Sequence, residues 1–224
     1  ADNTLIDGTV MVKGPVASFT YSPQYPIPGQ LVTFNASASY DTSYTITSYN
    51  WTFGDGNYTL TLRPNAVGAI TEWTGSANTT NWQHVNEATP NGDTDYVYTS
   101  TNAKRDSYGL QDPTPPGSEG ASKVWVVAYA KLATDPGETE RDQITLQLVI
   151  GGTAYSSEIY TLTADYAEYK YCWDRNPSTL KAWTWSDINA LQAGFKSVQV
   201  GTTMTEVRVT QLYVQVLGPA ETLK

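Results

Sequence analysis

The chain has 224 residues, with 13 Lys and Arg against 22 Asp and Glu and a formal net charge of −9. Such a surface repels phosphate backbones, which excludes nucleic acid as a partner, and no basic amphipathic stretch or long apolar run points to membrane insertion. Charged residues make up only 16%, while 16 Tyr and 7 Trp accompany abundant Thr and Ser. Aromatic and β-branched residues fit a pleated, half-buried surface, so the expected fold class is all-β.

Residues 1–14 carry Leu5, Val10 and Val12 in a Thr-rich stretch broken at Asp7-Gly8, an N-terminal strand in a domain division of 1–14, 15–61, 62–218 and a tail at 219–224. Ala17, Phe19 and Tyr21 then alternate, and Leu31 to Ala36 form a second alternating run after the Pro-rich turn at 23–28. Trp51 and Phe53 share one face of a strand that meets Gly54-Asp55-Gly56, where Asp55 can brace a tight turn. Beyond it, Lys123 to Leu132 alternates strongly, and Ile144 to Ile150 turns at Gly151-Gly152 towards Ala154-Tyr155. One or two Tyr-rich strands run from Glu158 to Trp173, and a last long strand from Met204 to Leu217. The single short helix falls near 186–193, with Ser186 able to cap it, Ile188 and Leu191 on one face, and Gly194 able to end it.

Pro15-Val16-Ala17-Ser18-Phe19, then Pro28-Gly29-Gln30-Leu31-Val32-Thr33-Phe34-Asn35, then Ser39-Tyr40-Asp41, then Trp51-Thr52-Phe53-Gly54-Asp55-Gly56, resemble a polycystic-kidney-disease (PKD) domain. The resemblance implies an immunoglobulin-like β-sandwich without catalytic residues, used as a spacer or contact surface on secreted and cell-surface proteins, especially in archaea. The chain departs from the pattern after the turn. Gly56-Asn57-Tyr58-Thr59-Leu60 resembles the family's closing strand and arrives at once, so the module is truncated. Residues 62–218 resemble jelly-roll, concanavalin-like domains of tail-associated proteins of bacterial viruses and of microbial surface proteins. Leu62-Arg63-Pro64-Asn65, Val85-Asn86-Glu87, residues 182–194 and Arg208 to Val216 carry that resemblance.

Candidate chemistry is sparse. His84 is the single histidine and reads as a loop or surface imidazole, since nothing near it looks like a nucleophile elbow. Cys172 is the single cysteine and reads as a small apolar residue between Tyr171 and Trp173. The expectation is therefore a protein that is not an enzyme. Asn91, Asp93 and Asp95, with Glu87 upstream, put hard oxygen ligands in a Gly-containing loop; the loop reads either as a calcium site or as a solvated turn. Asp112 with Glu119 is a weaker acidic pair. Four Asn-x-Ser/Thr sequons, at Asn35, Asn50, Asn57 and Asn78, offer glycosylation sites on an exported chain. The chain opens on Ala1 and not Met, the pattern left by leader cleavage, and the expected location is extracellular or at the cell surface.

A truncated first module preceded by spare strand residues points to self-association. Donation of residues 3–13, with Leu5, Val10 and Val12, to the open sheet of a second copy would build a homopolymer such as a filament or surface layer. The alternatives are a carbohydrate-binding or adhesive module, whose exposed aromatics would take glycans, and a virus tail component.

Overall fold

The computed structural model of the protein describes residues 2–6, 9–25, 31–42, 45–49, 57–113 and 120–219. The turn at residues 51–56, Asn50, Glu119 and the tail 220–224 lie outside the described residues. The chain divides into two compact units, residues 1–52 and 53–224.

In the first unit, β1 (Asp2–Ile6) and β2 (Thr9–Lys13) pair antiparallel, with Leu5 opposite Val10 and Asn3 opposite Val12. Residues 3–13 are therefore not one strand held out to a neighbour. The break at Asp7-Gly8 separates two strands that satisfy one edge of each other's backbone, which corrects the donor-strand geometry. β3 (Thr20–Ser22) pairs with β4 (Thr33–Asn35), setting the Tyr21 and Phe34 rings 6.1 Å apart. Val16 bridges Tyr40, and the Ser39 hydroxyl accepts from the Ser18 amide and donates to its carbonyl. Both strands are shorter than the alternation implied.

The second unit is a sandwich of two antiparallel sheets. Its six-stranded sheet holds β5 (Asn57–Leu62), β7 (Thr74–Gly75), β8 (Val97–Thr99), β10 (Lys123–Leu132), β13 (Ala167–Trp173) and β15 (Val207–Pro219). The five-stranded sheet runs β12 (Thr153–Thr161), β11 (Gln143–Ile150), β14 (Gln192–Val198), β9 (Arg105–Leu110) and β6 (Pro64–Thr71). Alternation fills the space between them: Val124, Val126, Ala128 and Ala130 from β10 and Val207, Val209, Leu212, Val214 and Val216 from β15 meet Ile144, Leu146, Leu148 and Phe195. Core rings pair closely, with Trp73 and Phe195 at 4.6 Å and Tyr171 and Trp173 at 4.6 Å.

Two expectations change here. Residues 57–61 do not close the first module. As β5 they hydrogen-bond along β15, with Leu60 opposite Val216 and Leu62 opposite Val214, and Leu62 is buried in the sandwich core. The helix α1 (Trp185–Asn189) is also shorter than the 186–193 expected. Thr184 caps it, accepting from the Asp187 amide at 3.2 Å while Asp187 reaches back to the Thr184 amide. Gly194 ends no helix. It lies in β14, where an added Cβ would strike the Asp106 carbonyl of β9, so only glycine permits that approach. The hairpin β11–β12 turns at Gly151-Gly152, with φ of 56° and 83°.

Leu212 is fully buried where the two sheets meet. Leu212→Ala should cost about 2–5 kcal/mol in urea unfolding, and Gly194→Ala should destabilise the sandwich although it adds only a methyl group.

Candidate functional site

β15 is the longest strand, and it uses both edges. One edge pairs with β10 throughout; the other is shared between β8, opposite Val207 to Val209, and β5, opposite Val214 to Pro219. A bulge at Thr210 shifts the register between them. The acidic loop fills the gap so left. Leu212 donates its amide to the Val85 carbonyl at 2.8 Å, Gln211 Nε2 donates to the Glu87 carbonyl at 2.6 Å, and Thr210 Oγ1 bonds Asn91 Oδ1 and the Asp95 carbonyl at 2.8 Å each.

Three of the predicted calcium ligands, Asn91, Asp93 and Asp95, hydrogen-bond to protein partners. Asp93 accepts from Lys131 Nζ at 2.7 Å, Arg208 Nη1 at 2.9 Å and the Tyr166 hydroxyl at 3.2 Å. Lys131 above all, with Arg208 and Tyr166 helping against some burial, holds its carboxyl below the usual aspartate range. Asp95 takes the Ser76 hydroxyl at 3.1 Å and His84 Nδ1. Among the described residues no group of three or more His, Cys, Asp and Glu side chains is arranged to hold a metal ion.

His84 is not a surface imidazole. It is 1% exposed, bonded to Thr79 Oγ1 at 2.8 Å through Nε2 and to Asp95 through Nδ1. A Cβ on Gly75 would collide with its ring, so the glycine makes room for it. The ring fastens the turn Asn81–His84 to the acidic loop. Glu87, half-buried beside Asp95, has a carboxyl oxygen sealed from water without a partner. Burial first, and the Asp95 carboxylate after it, push its pKa up to about 7, against the pull of a backbone hydrogen bond and of His84.

The outward face of the six-stranded sheet is built by the same alternation that fills the core. Across β13, β10 and β15 the register makes three rows: Cys172, Trp125 and Gln215; Lys170, Val127 and Tyr213; Glu168, Tyr129 and Gln211. Trp125, Tyr213 and Tyr129 therefore zigzag along the face, with the buried Val127 as floor and an amide beside each end ring. All three rings are half-buried. Unlike the core rings, those of Trp125 and Tyr129 pair with no other ring among the described residues. Arg63 lies over Tyr213 at 5.4 Å, its fork held by the Glu87 and Ala88 carbonyls. The Tyr129 hydroxyl donates to Glu168 at 3.1 Å, and that bond first, then burial, raises its pKa. Glu168 also pairs with Lys170 at 3.3 Å. Cys172 sits at the rim, its thiol pushed up to about 11 by burial and by Asp174.

Sequence reading missed this strip. Its members look like core residues until the partner strand shows which of two equally apolar faces points inward.

Comparison with known proteins places the chain as follows. Residues 12–84 match the PKD domain family. The match runs on through residues 57–84, whose strands β5, β6 and β7 pair with β15, β9 and β8 of the sandwich, so it spans more chain than the first compact unit does. No curated protein matches the chain in sequence. Among solved structures it is similar to a xylan-binding module, CBM15, at 11% identity and a TM-score of 0.40, covering 74% of this chain and 100% of that one. It is also similar to the CBM22-1 xylan-binding domain from Paenibacillus barcinonensis Xyn10C, at 10% identity and a TM-score of 0.37, covering 71% and 94%. At these identities and TM-scores no ligand or residue role carries over. No helix among the described residues is long and apolar enough to cross a membrane.

Of the remaining predicted residues, Asn35 is exposed and its Oδ1 accepts from the Ser37 amide at 2.9 Å, while Asn78 is exposed and Asn57 opens β5. Asp112 borders a shallow hollow of about 310 Å³ beside Thr61 and Pro113.

A carboxyl whose folded pKa stands near 7 favours the fold while protonated. Glu87 therefore contributes stability below about 4.5, its ordinary value, and that contribution is lost as pH rises through about 7. Glu87→Gln should flatten the fall in melting temperature between pH 5 and pH 8, read by thermal unfolding at each pH.

Proposed function

We propose that the sandwich is a non-catalytic carbohydrate-binding module that takes a saccharide chain along Trp125, Tyr213 and Tyr129. The observation that carries the reading is this strip of half-buried rings, unpaired at both ends, on an outward sheet face with Gln215 and Glu168 beside them. A sugar ring presents C–H groups to an aromatic face and hydroxyls at its rim. An aromatic strip with an amide and a carboxylate at its margins matches both. The Tyr129 hydroxyl is already oriented by Glu168, so little ordering cost remains for it.

Binding without hydrolysis suits the strip better than catalysis. Glycoside cleavage needs two carboxyls facing each other across the bond, about 5–9.5 Å apart. Glu168, the carboxylate in these three rows, is held by Lys170 and Tyr129. An extracellular setting agrees with this reading, because polysaccharides are found there. The reading rests on the face itself and takes nothing from the distant structural similarities.

Isothermal titration against a panel of soluble polysaccharides is the test. At least one should bind saturably, Trp125→Ala should weaken it about tenfold, roughly 1.4 kcal/mol, and Trp125→Ala with Tyr213→Ala should abolish it. Absence of saturable binding, or equal binding by the double variant, would overturn the reading.

A further inference from the structure

The five-stranded sheet has an outward face of a different kind. Its register sets Thr145 of β11 opposite Lys196 of β14, and Lys196 opposite Arg105 of β9, so the three occupy one row across three strands. Lys196 and Arg105 are direct cross-strand neighbours, and both are half-buried, so neither simply extends into water. Like charges in that position repel, and sheets ordinarily avoid the arrangement or neutralise it. Here neither cation forms an ion pair among the described residues. Glu72 approaches Arg105 only to accept its backbone amide, at 2.8 Å. Glu158, beside the bulge of β12, forms an ion pair with neither cation. In a chain of net charge −9 an opposed, unneutralised cation pair stands out from its surroundings.

A second observation, independent of charge, falls on the same row. Thr145 is only 6% exposed, and its hydroxyl is sealed from water with no hydrogen-bond partner. A buried hydroxyl without a partner costs free energy, and native proteins rarely leave one. An oxygen-rich anion would answer both a hydroxyl that lacks an acceptor and two cations that lack a counterion.

We propose that Arg105, Lys196 and Thr145 form a binding site for an oxyanion, a carboxylate or a sulfate, either free or borne by an acidic saccharide. The guanidinium offers a planar fork, the ammonium a point charge, and the hydroxyl a donor, which together satisfy two or more oxygens of one group. The site lies on the sheet opposite the aromatic strip and stands whether or not that strip binds sugar.

The test is thermal unfolding of the intact chain in sodium sulfate against sodium chloride of equal ionic strength, with galacturonate and neutral galactose as further arms. Sulfate also stabilises proteins by exclusion from their surface, so the doubly substituted Arg105→Gln, Lys196→Gln protein serves as the control. Sulfate should raise the wild-type melting temperature by about 3 °C more than that of the double variant. Without ligand the double variant should melt no lower than the wild type, because a repulsion has been removed. Thr145→Val keeps the side-chain shape and should lose part of the sulfate increment. An equal increment from galacturonate, with none from galactose, assigns the site to saccharide carboxylates; a response to sulfate alone assigns it to sulfate. Equal sulfate increments in wild type and double variant, or no increment over chloride, would overturn the proposal.

Discussion

The sandwich depends on β15 being hydrogen-bonded on both edges at once. β10 takes one edge along its whole length, and β8, the acidic loop and β5 divide the other. A central strand of this kind has no freedom of register, because a slip of one residue would turn Val207, Val209, Leu212, Val214 and Val216 out to solvent. The bulge at Thr210 is the one interruption, and the loop carrying Asn91 and Asp95 closes on it. The acidic loop thus works as a patch on the sheet edge. Asp93 completes it by joining Lys131 of β10 to Arg208 of β15.

The same constraint creates both outward faces. With the core positions settled, Trp125, Tyr129, Tyr213, Gln211 and Gln215 can point only outwards, and their spacing is the spacing of the sheet. On the other sheet the alternation that buries Leu146 and Phe195 turns out Gln147, Lys196 and Arg105. One face is aromatic, the other polar and cationic. Their difference comes from the outward half of each strand and is paid for nowhere in the core.

The first unit follows a different rule. Its described side chains are exposed or half-buried, Phe19 at 53% and Tyr21 at 46%, and its strands are short. In the N-terminal hairpin each strand pairs one edge with the other. With residues 57–62 built into the sandwich, the strand that seemed to close this module belongs elsewhere.

The sequence by itself determined the class of this protein. Tyr, Trp and Thr in alternating runs specify strands, Gly151-Gly152 specifies a hairpin turn, and the motif residues before position 57 specify the PKD resemblance. These are local signals, decided by neighbours along the chain. Tertiary structure alone decided the rest. β5 looks like the end of one module and pairs as part of another, because strand pairing is set by long-range register. His84 is buried because Gly75 of β7 and Asp95 of the acidic loop close on it. Trp125 faces out and Val124 in because β10 has one packed side, and no pattern of two apolar faces says which side that is.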